Sequence, residues 1–170
     1  MELKSYIRDI PDFPEPGILF RDLTPLLQDA DAFRYTIDRL ADRFKGGHLD
    51  VVVAIESRGF LFGAPLAYQL GKPLVPVRKS GKLPAPTHKA EYTLEYGRSV
   101  MEIHVDGVRT GQRALLLDDL LATGGTLEAA ARVVEMSGGV VGDIGVIVEL
   151  TQLDGRRLLG NCDIYSMIQY

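Results

Sequence analysis

Five apolar, largely β-branched runs punctuate the chain: VVVAI (51–55), LVPV (74–77), ALLL (114–117), IGVIVEL (144–150) and IYSMI (164–168). Runs this continuous suit strands covered on both faces, as in a parallel sheet, because a half-exposed strand alternates instead. Helical patterns lie between several of them. Phe33, Ile37, Leu40, Ala41 and Phe44 fall at offsets of 0, 4, 7, 8 and 11, one face of a helix that Asp29 or Asp31 can cap. A second helix is expected over 60–70 and a third over 126–137, the third stopped by Gly138-Gly139. Strands alternating with helices predict an α/β fold, a mainly parallel twisted sheet flanked by helices. With 170 residues, 46% of them hydrophobic, one domain spanning 1–170 is expected. A chain of that size can bury about 70% of its unfolded surface.

In such sheets ligands bind beyond the carboxyl ends of the strands. At one such end stands LLLDDLLATGGT (115–126), where an apolar run meets two adjacent aspartates and then a turn of small residues. Paired carboxylates at the edge of a core repel each other and lose hydration, so a ligand or water must compensate them. Strand, turn and a helix beginning near Gly125 or Thr126 present free N–H groups at a helix N-terminus. Ala122, Thr123, Gly124, Gly125 and Thr126 let backbone amides close on an anion, and the threonines add hydroxyl donors. Asp118 and Asp119 accept hydrogen bonds from neighbouring hydroxyls on the same ligand. A sugar bearing vicinal hydroxyls and a phosphate satisfies both halves, whereas the alternative reading makes the aspartates solvated caps of an ordinary strand-turn-helix.

ESRGFLFG (56–63) forms a second strand end followed by a helix start, where Ser57, Arg58 and Gly59 could hold another phosphate or merely make a surface turn. The segment 78–97, RKSGKLPAPTHKAEYTLEYG, breaks the pattern with two prolines, two glycines and four basic residues. It reads as a long loop, either a lid or disordered. The alternating run VMEIHV (100–105) anchors its far end and favours a lid over about 79–97. Two anion turns and a basic lid point to a ligand with two separate phosphate groups.

Other chemistries are excluded. The three histidines, His48, His88 and His104, form no metal-binding pattern; no P-loop and no G-x-S-x-G elbow occurs. Cys162 stands alone, which rules out an internal disulfide and a cysteine zinc site. A net charge of −4 marks no nucleic-acid binder. The N-terminus lacks a signal-peptide apolar stretch, and no run approaches the roughly 18 residues of a membrane span, so the cytoplasm is expected.

These residues carry a resemblance. LLLDDLLATGGT looks like the phosphoribosyl pyrophosphate (PRPP) signature of type I phosphoribosyltransferases, in the form of their adenine-specific branch. DFPEPGILFRDLTPLL (12–27), SRGFLFGAPLAYQLG (57–71) and RKSGKLPAPT with YTLEYG (78–97) resemble the same branch in the same order. Glu56 stands where some members have aspartate. The resemblance implies transfer of the 5-phosphoribosyl group from PRPP to adenine, giving AMP and pyrophosphate, with Mg²⁺ held mainly by substrate and water and not by direct protein ligands. It implies that Asp118 and Asp119 hold the ribose hydroxyls and residues 122–126 the 5′-phosphate. Ser57 and Arg58, with Arg78 or Lys82, face the pyrophosphate. Leu19, Phe20 and Arg21 form the adenine pocket, covered by Leu150, and Glu95 contacts the base as proton acceptor or orienting group. It further implies a homodimer with no membrane or nucleic-acid partner. Two rivals remain: a ligand sensor of this fold that controls transcription, and an enzyme acting on hypoxanthine or xanthine.

Overall fold

The structure, a computed structural model, describes residues 1–94 and 97–170. Strands β3 (Val51–Ile55), β4 (Leu74–Lys79), β7 (Arg113–Leu121), β8 (Val140–Glu149) and β9 (Asp163–Gln169) are the five apolar runs. They lie parallel in the order β4-β3-β7-β8-β9. The antiparallel hairpin of β5 (Thr87–Leu94) and β6 (Gly97–His104) extends the sheet on the β4 side. A separate two-stranded ribbon joins β1 (Arg8–Pro11) to β2 (Leu19–Asp22).

Helices cover both faces. After α1 (Thr24–Gln28), α2 (Ala30–Phe44) and α3 (Gly59–Leu70) pack Leu40, Phe62 and Leu66 against Val52, Leu115 and Leu117. On the other face α4 (Gly125–Met136) packs Leu127, Ala130 and Val133 against Val51, Val53, Ile55 and Leu116. Neighbouring residues of β3 and β7 thus feed opposite cores, which is why these strands read as unbroken apolar runs. Leu115, Leu116 and Leu117 are each fully buried, worth about 1.5–3 kcal/mol apiece. Asp29, not Asp31, caps α2: its side chain accepts from the N–H of Asp31 at 3.1 Å and of Ala32 at 2.8 Å.

Two expectations are corrected. Strand β7 does not end on Asp118 and Asp119 but continues through them to Leu121, paired with β8 along the way. The segment 79–97 is not one long loop either. Its described part is a short connection followed by β5, whose Ala90 and Tyr92 enter the core while Lys89 and Glu91 face outward. An antiparallel hairpin satisfies its own backbone, so two inward side chains in period-two spacing are enough to seat it. Among the described residues no helix is long and apolar enough to cross a membrane.

Candidate active site

The carboxyl ends of β3 and β7 open into a cavity of about 550 Å³. Its floor is Asp118, Asp119 and the turn 122–126; its far wall carries Ser57, Arg58, Lys79 and Lys82. The turn has the shape of a cradle that an anion could enter. Gly124 sits at φ +90° as the N-cap of α4 and brings no capping side chain, so the first amides of that helix lack one of their usual partners. A Cβ on Gly124 would lie 2.3 Å from the Gly155 carbonyl oxygen, and one on Gly155 2.2 Å from the Ala122 carbonyl oxygen. Only two glycines allow the cradle and the 155 segment to touch this closely.

The aspartates are buried in strand β7, at 7% and 4% exposure. Asp118 Oδ1 accepts the Asp119 N–H at 2.8 Å. Burial, and then the neighbouring Asp119 charge, push the Asp118 carboxyl well above its ordinary range. Arg58 Nε pairs with Asp119 Oδ2 through charge but off hydrogen-bonding alignment, so that oxygen has no hydrogen-bond partner among the described residues. An unsatisfied buried oxygen calls for a donor or a cation. The described residues contain no group of three or more His, Cys, Asp or Glu able to hold a metal. A divalent ion here would draw mainly on oxygens brought by a ligand and on water.

A second cavity, about 700 Å³, lies between β2 and the segment after β8. Leu19, Phe20 and Arg21 form one wall, Leu150 and Leu153 the other, and Leu120, Ala122 and Thr123 belong to both cavities. Phe20 is edge-on to Phe13 at 5.1 Å between centroids, and Arg58 Cζ stands 5.4 Å from the Phe20 ring centre. The Arg21 side chain points away from any base-reading role. It pairs with Asp9 and lies over the Tyr170 ring at 3.7 Å. Tyr170 in turn accepts at its backbone carbonyl from Thr151 N–H at 2.9 Å and Thr151 Oγ1 at 2.6 Å, tying the two walls together.

The expected residues therefore meet, with exceptions. Arg78 does not line the cavity. Its Nε donates to Glu56 Oε2 and its Nη1 to the Lys82 carbonyl, both at 3.3 Å, and strand alternation turns Lys79 toward the cavity instead. Glu95 lies outside the described residues. Sequence alone does not point to Gly155, Lys79 or Tyr170. The first shows in sequence only as a glycine in LDGRRLLG, and the other two depend on register and long-range packing.

Against known proteins, residues 24–157 match the family model for the phosphoribosyl transferase domain. The adenine phosphoribosyltransferase of Thermoanaerobacter pseudethanolicus is 56% identical over 99% of this chain and 98% of its own. That of Acaryochloris marina is 55% identical over the full length of both. The crystal structure of the Thermoanaerobacter protein is similar with a TM-score of 0.97, covering 99% of this chain and 98% of that one. The Saccharomyces cerevisiae adenine phosphoribosyltransferase was solved with D-2,5-dideoxy-2,5-imino-altritol 1,6-bisphosphate and adenine. It is 39% identical, with a TM-score of 0.92 over 98% of this chain and 96% of that one.

Proposed function

We infer the chemistry of this site from the chain's kinship: it belongs to the phosphoribosyltransferase family, in its adenine-specific branch, and transfers the 5-phosphoribosyl group of PRPP to adenine. Adenine loses the proton from its ring nitrogen, that nitrogen bonds to the ribose, and pyrophosphate leaves, giving AMP in purine salvage.

The observation that carries the assignment of roles is the pair of cavities sharing Leu120, Ala122 and Thr123. One cavity suits phosphates and ribose hydroxyls; the other is apolar enough for a purine. Their junction is where the new bond between base and sugar belongs. The 122–126 cradle takes the 5′-phosphate, and Asp118 and Asp119 take the ribose hydroxyls. Ser57, Arg58 and Lys82, joined by Lys79, take the pyrophosphate, and Arg78 supports them through Glu56. Breaking the bond to pyrophosphate builds positive charge on the ribose, which the aspartates stabilise, and negative charge on the leaving group, which the basic wall stabilises. Leu19, Phe20 and Leu150 enclose adenine. Strand β2 pairs along one edge only, so alternate residues turn N–H and C=O away from β1, and at Arg21 they can read adenine's 6-amino donor and ring-nitrogen acceptor. Glu95 accepts the purine proton or orients the imidazole edge.

Mg²⁺ would be held mainly by substrate and water oxygens, with the unpartnered Asp119 oxygen beside it to accept from a bound water or a ribose hydroxyl. When bound, Mg²⁺ neutralises the diphosphate and helps it leave. Residues 19–21 lie before the matched 24–157 segment, which supports the chain working as one domain over 1–170. In the cytoplasm it is proposed to act as a homodimer. Leu61 and Tyr68, seven residues apart on α3 and exposed at 47% and 90%, offer an apolar face for such an association. Incubation with PRPP, Mg²⁺ and each of adenine, hypoxanthine and xanthine tests the reading: AMP formation from adenine alone supports it, and binding of PRPP without turnover of any base refutes it.

A further inference from the structure

Two carboxylates that the reaction does not use converge on one short connection. Between β4 and β5 the chain runs through Lys82, which lines the phosphate cavity. Glu102, in the middle of β6, is 1% exposed. Its Oε1 accepts the backbone N–H of both Lys82 and Leu83, each at 3.1 Å. Its Oε2 accepts from Thr87 Oγ1 at 3.4 Å and pairs with Lys89 Nζ at 3.3 Å. Glu56, just past the end of β3, holds the other end of the same lysine. Its Oε1 pairs with Lys82 Nζ, while Oε2 accepts the Lys79 N–H at 3.0 Å and Arg78 Nε at 3.3 Å. Lys82 is thus fixed at its backbone by one carboxylate and at its ammonium by another.

A charge at a buried strand position is costly, and an apolar side chain there is often as stable or more so. Packing alone therefore gives no reason for glutamate at 102. Position does. Without the carboxylate the Lys82 and Leu83 N–H groups lose their shared acceptor, and the Arg78 bond to the Lys82 carbonyl is left to hold that peptide from one side only.

We propose that Glu102 is a positioning residue for the transfer reaction, which presents Lys82 to the diphosphate of PRPP while Glu56 keeps the ammonium in the cavity until the diphosphate takes it over. The proposal rests on reading this cavity as the diphosphate site. Burial acts to raise both carboxyls. It is outweighed at Glu102 by the Leu83, Lys89 and Lys82 donors and at Glu56 by Lys82, Lys79 and Arg78, so both stay below the ordinary range and ionised at working pH.

The test is a double-mutant cycle on the intact chain with PRPP, adenine and Mg²⁺, and in reverse with AMP and pyrophosphate. Glu102→Ala and Lys82→Ala are each expected to raise KM for PRPP and for pyrophosphate by about tenfold, with KM for adenine within about twofold. The double variant is expected to match the worse single one, because Glu102 acts through Lys82. Glu102→Gln keeps one acceptor for the two backbone N–H groups and is expected to recover part of the loss. It also serves if Glu102→Ala does not fold. Additive losses, or an adenine KM that rises as far as that for PRPP, overturn the proposal and leave the diphosphate site standing. A silent Lys82→Ala instead overturns the placement of the diphosphate, and the proposal with it.

Discussion

Gly124 is where one methyl group discriminates most between fold and function. At φ +90° an L residue is strained by about 1–2 kcal/mol. Its Cβ would stand 2.3 Å from the Gly155 carbonyl oxygen, where ordinary contact begins at 3.4 Å. One backbone must retreat by about 1 Å in Gly124→Ala, and overpacking of that kind adds about 1–3 kcal/mol. Gly155 cannot be the one to move freely, because its own α-carbon is pressed toward the Ala122 carbonyl; the cradle moves. Strain and overpacking together, about 2–5 kcal/mol, lower the melting temperature by about 4–20 °C for a chain of this length. A 1 Å displacement of groups that position a substrate costs about 10²-fold in rate, so kcat/KM for PRPP is expected to fall by about that factor. Gly71→Ala supplies the control: φ is +63° there too, but nothing lies within 4 Å of the added Cβ. It should melt lower by the strain alone and keep kcat/KM for PRPP within about twofold. Steady-state kinetics and thermal melts on both variants decide the matter. Gly124→Ala with a lowered melting temperature and the parent's kcat/KM for PRPP would refute the cradle.

Asp118→Asn or Asp119→Asn should cost at least about 10²-fold in kcat/KM, or ~2.7 kcal/mol. Because Asp118 keeps its proton to higher pH in the native state than in the unfolded chain, stability falls as pH rises from the ordinary aspartate range through the raised value. Melts across pH should show Asp118→Asn flattening that fall and equalling or exceeding the parent at neutral pH; retained activity with a lowered melting temperature would make the carboxylates structural. Phe20→Ala should weaken adenine binding yet leave the preference over hypoxanthine nearly intact in competition assays, since stacking is blind to the 6-substituent. Arg21→Ala should also keep the preference but raise KM for adenine, because it releases the strand from Asp9 and Tyr170; hypoxanthine turnover within about tenfold of adenine in the parent would sink backbone reading. Glu95→Gln should lower turnover more than PRPP affinity measured by titration calorimetry, and equal losses would make Glu95 a ligand contact only.

The parallel core was legible because β3 and β7 are buried on both faces, so local composition and tertiary environment say the same thing. The cradle was legible for a similar reason: small residues, a strand end and a helix start are contiguous in LLATGGT. What is not legible depends on partners far away in sequence. THKAEYTL holds only two inward residues, too few to distinguish a strand from a polar loop until β6 pairs with it. Whether Arg78 or Lys79 faces the cavity depends on the register of β4 against β3, which no local pattern in LVPVRK encodes. Glu102 sits in VMEIHV as an apparent outward-facing polar residue of an alternating strand. It is buried because the 80–86 connection folds back over it.

That last point bears on how such a site is built. Among the described residues the buried acidic side chains are Glu102, Asp118, Asp119 and Glu149. Two line the cavity at the ends of β3 and β7, and the others stand behind its walls. Glu149 accepts both arms of Arg156, at 2.6 and 2.7 Å, and also Ser166 Oγ at 2.6 Å. It stands between Leu150, which lines the second cavity, and the Gly155-Arg156 segment packed against the 122–126 turn. Removing one partner of a buried pair costs about 3–5 kcal/mol, although replacing the whole pair by apolar groups often costs nothing. Stability alone would therefore not collect charges here. Directional bonds do what apolar packing does not: they fix both the distance and the orientation of a peptide or a guanidinium. At Glu102 those bonds hold the Lys82 and Leu83 N–H groups, and at Glu149 they hold the Arg156 guanidinium, next to the glycine that meets the Gly124 turn.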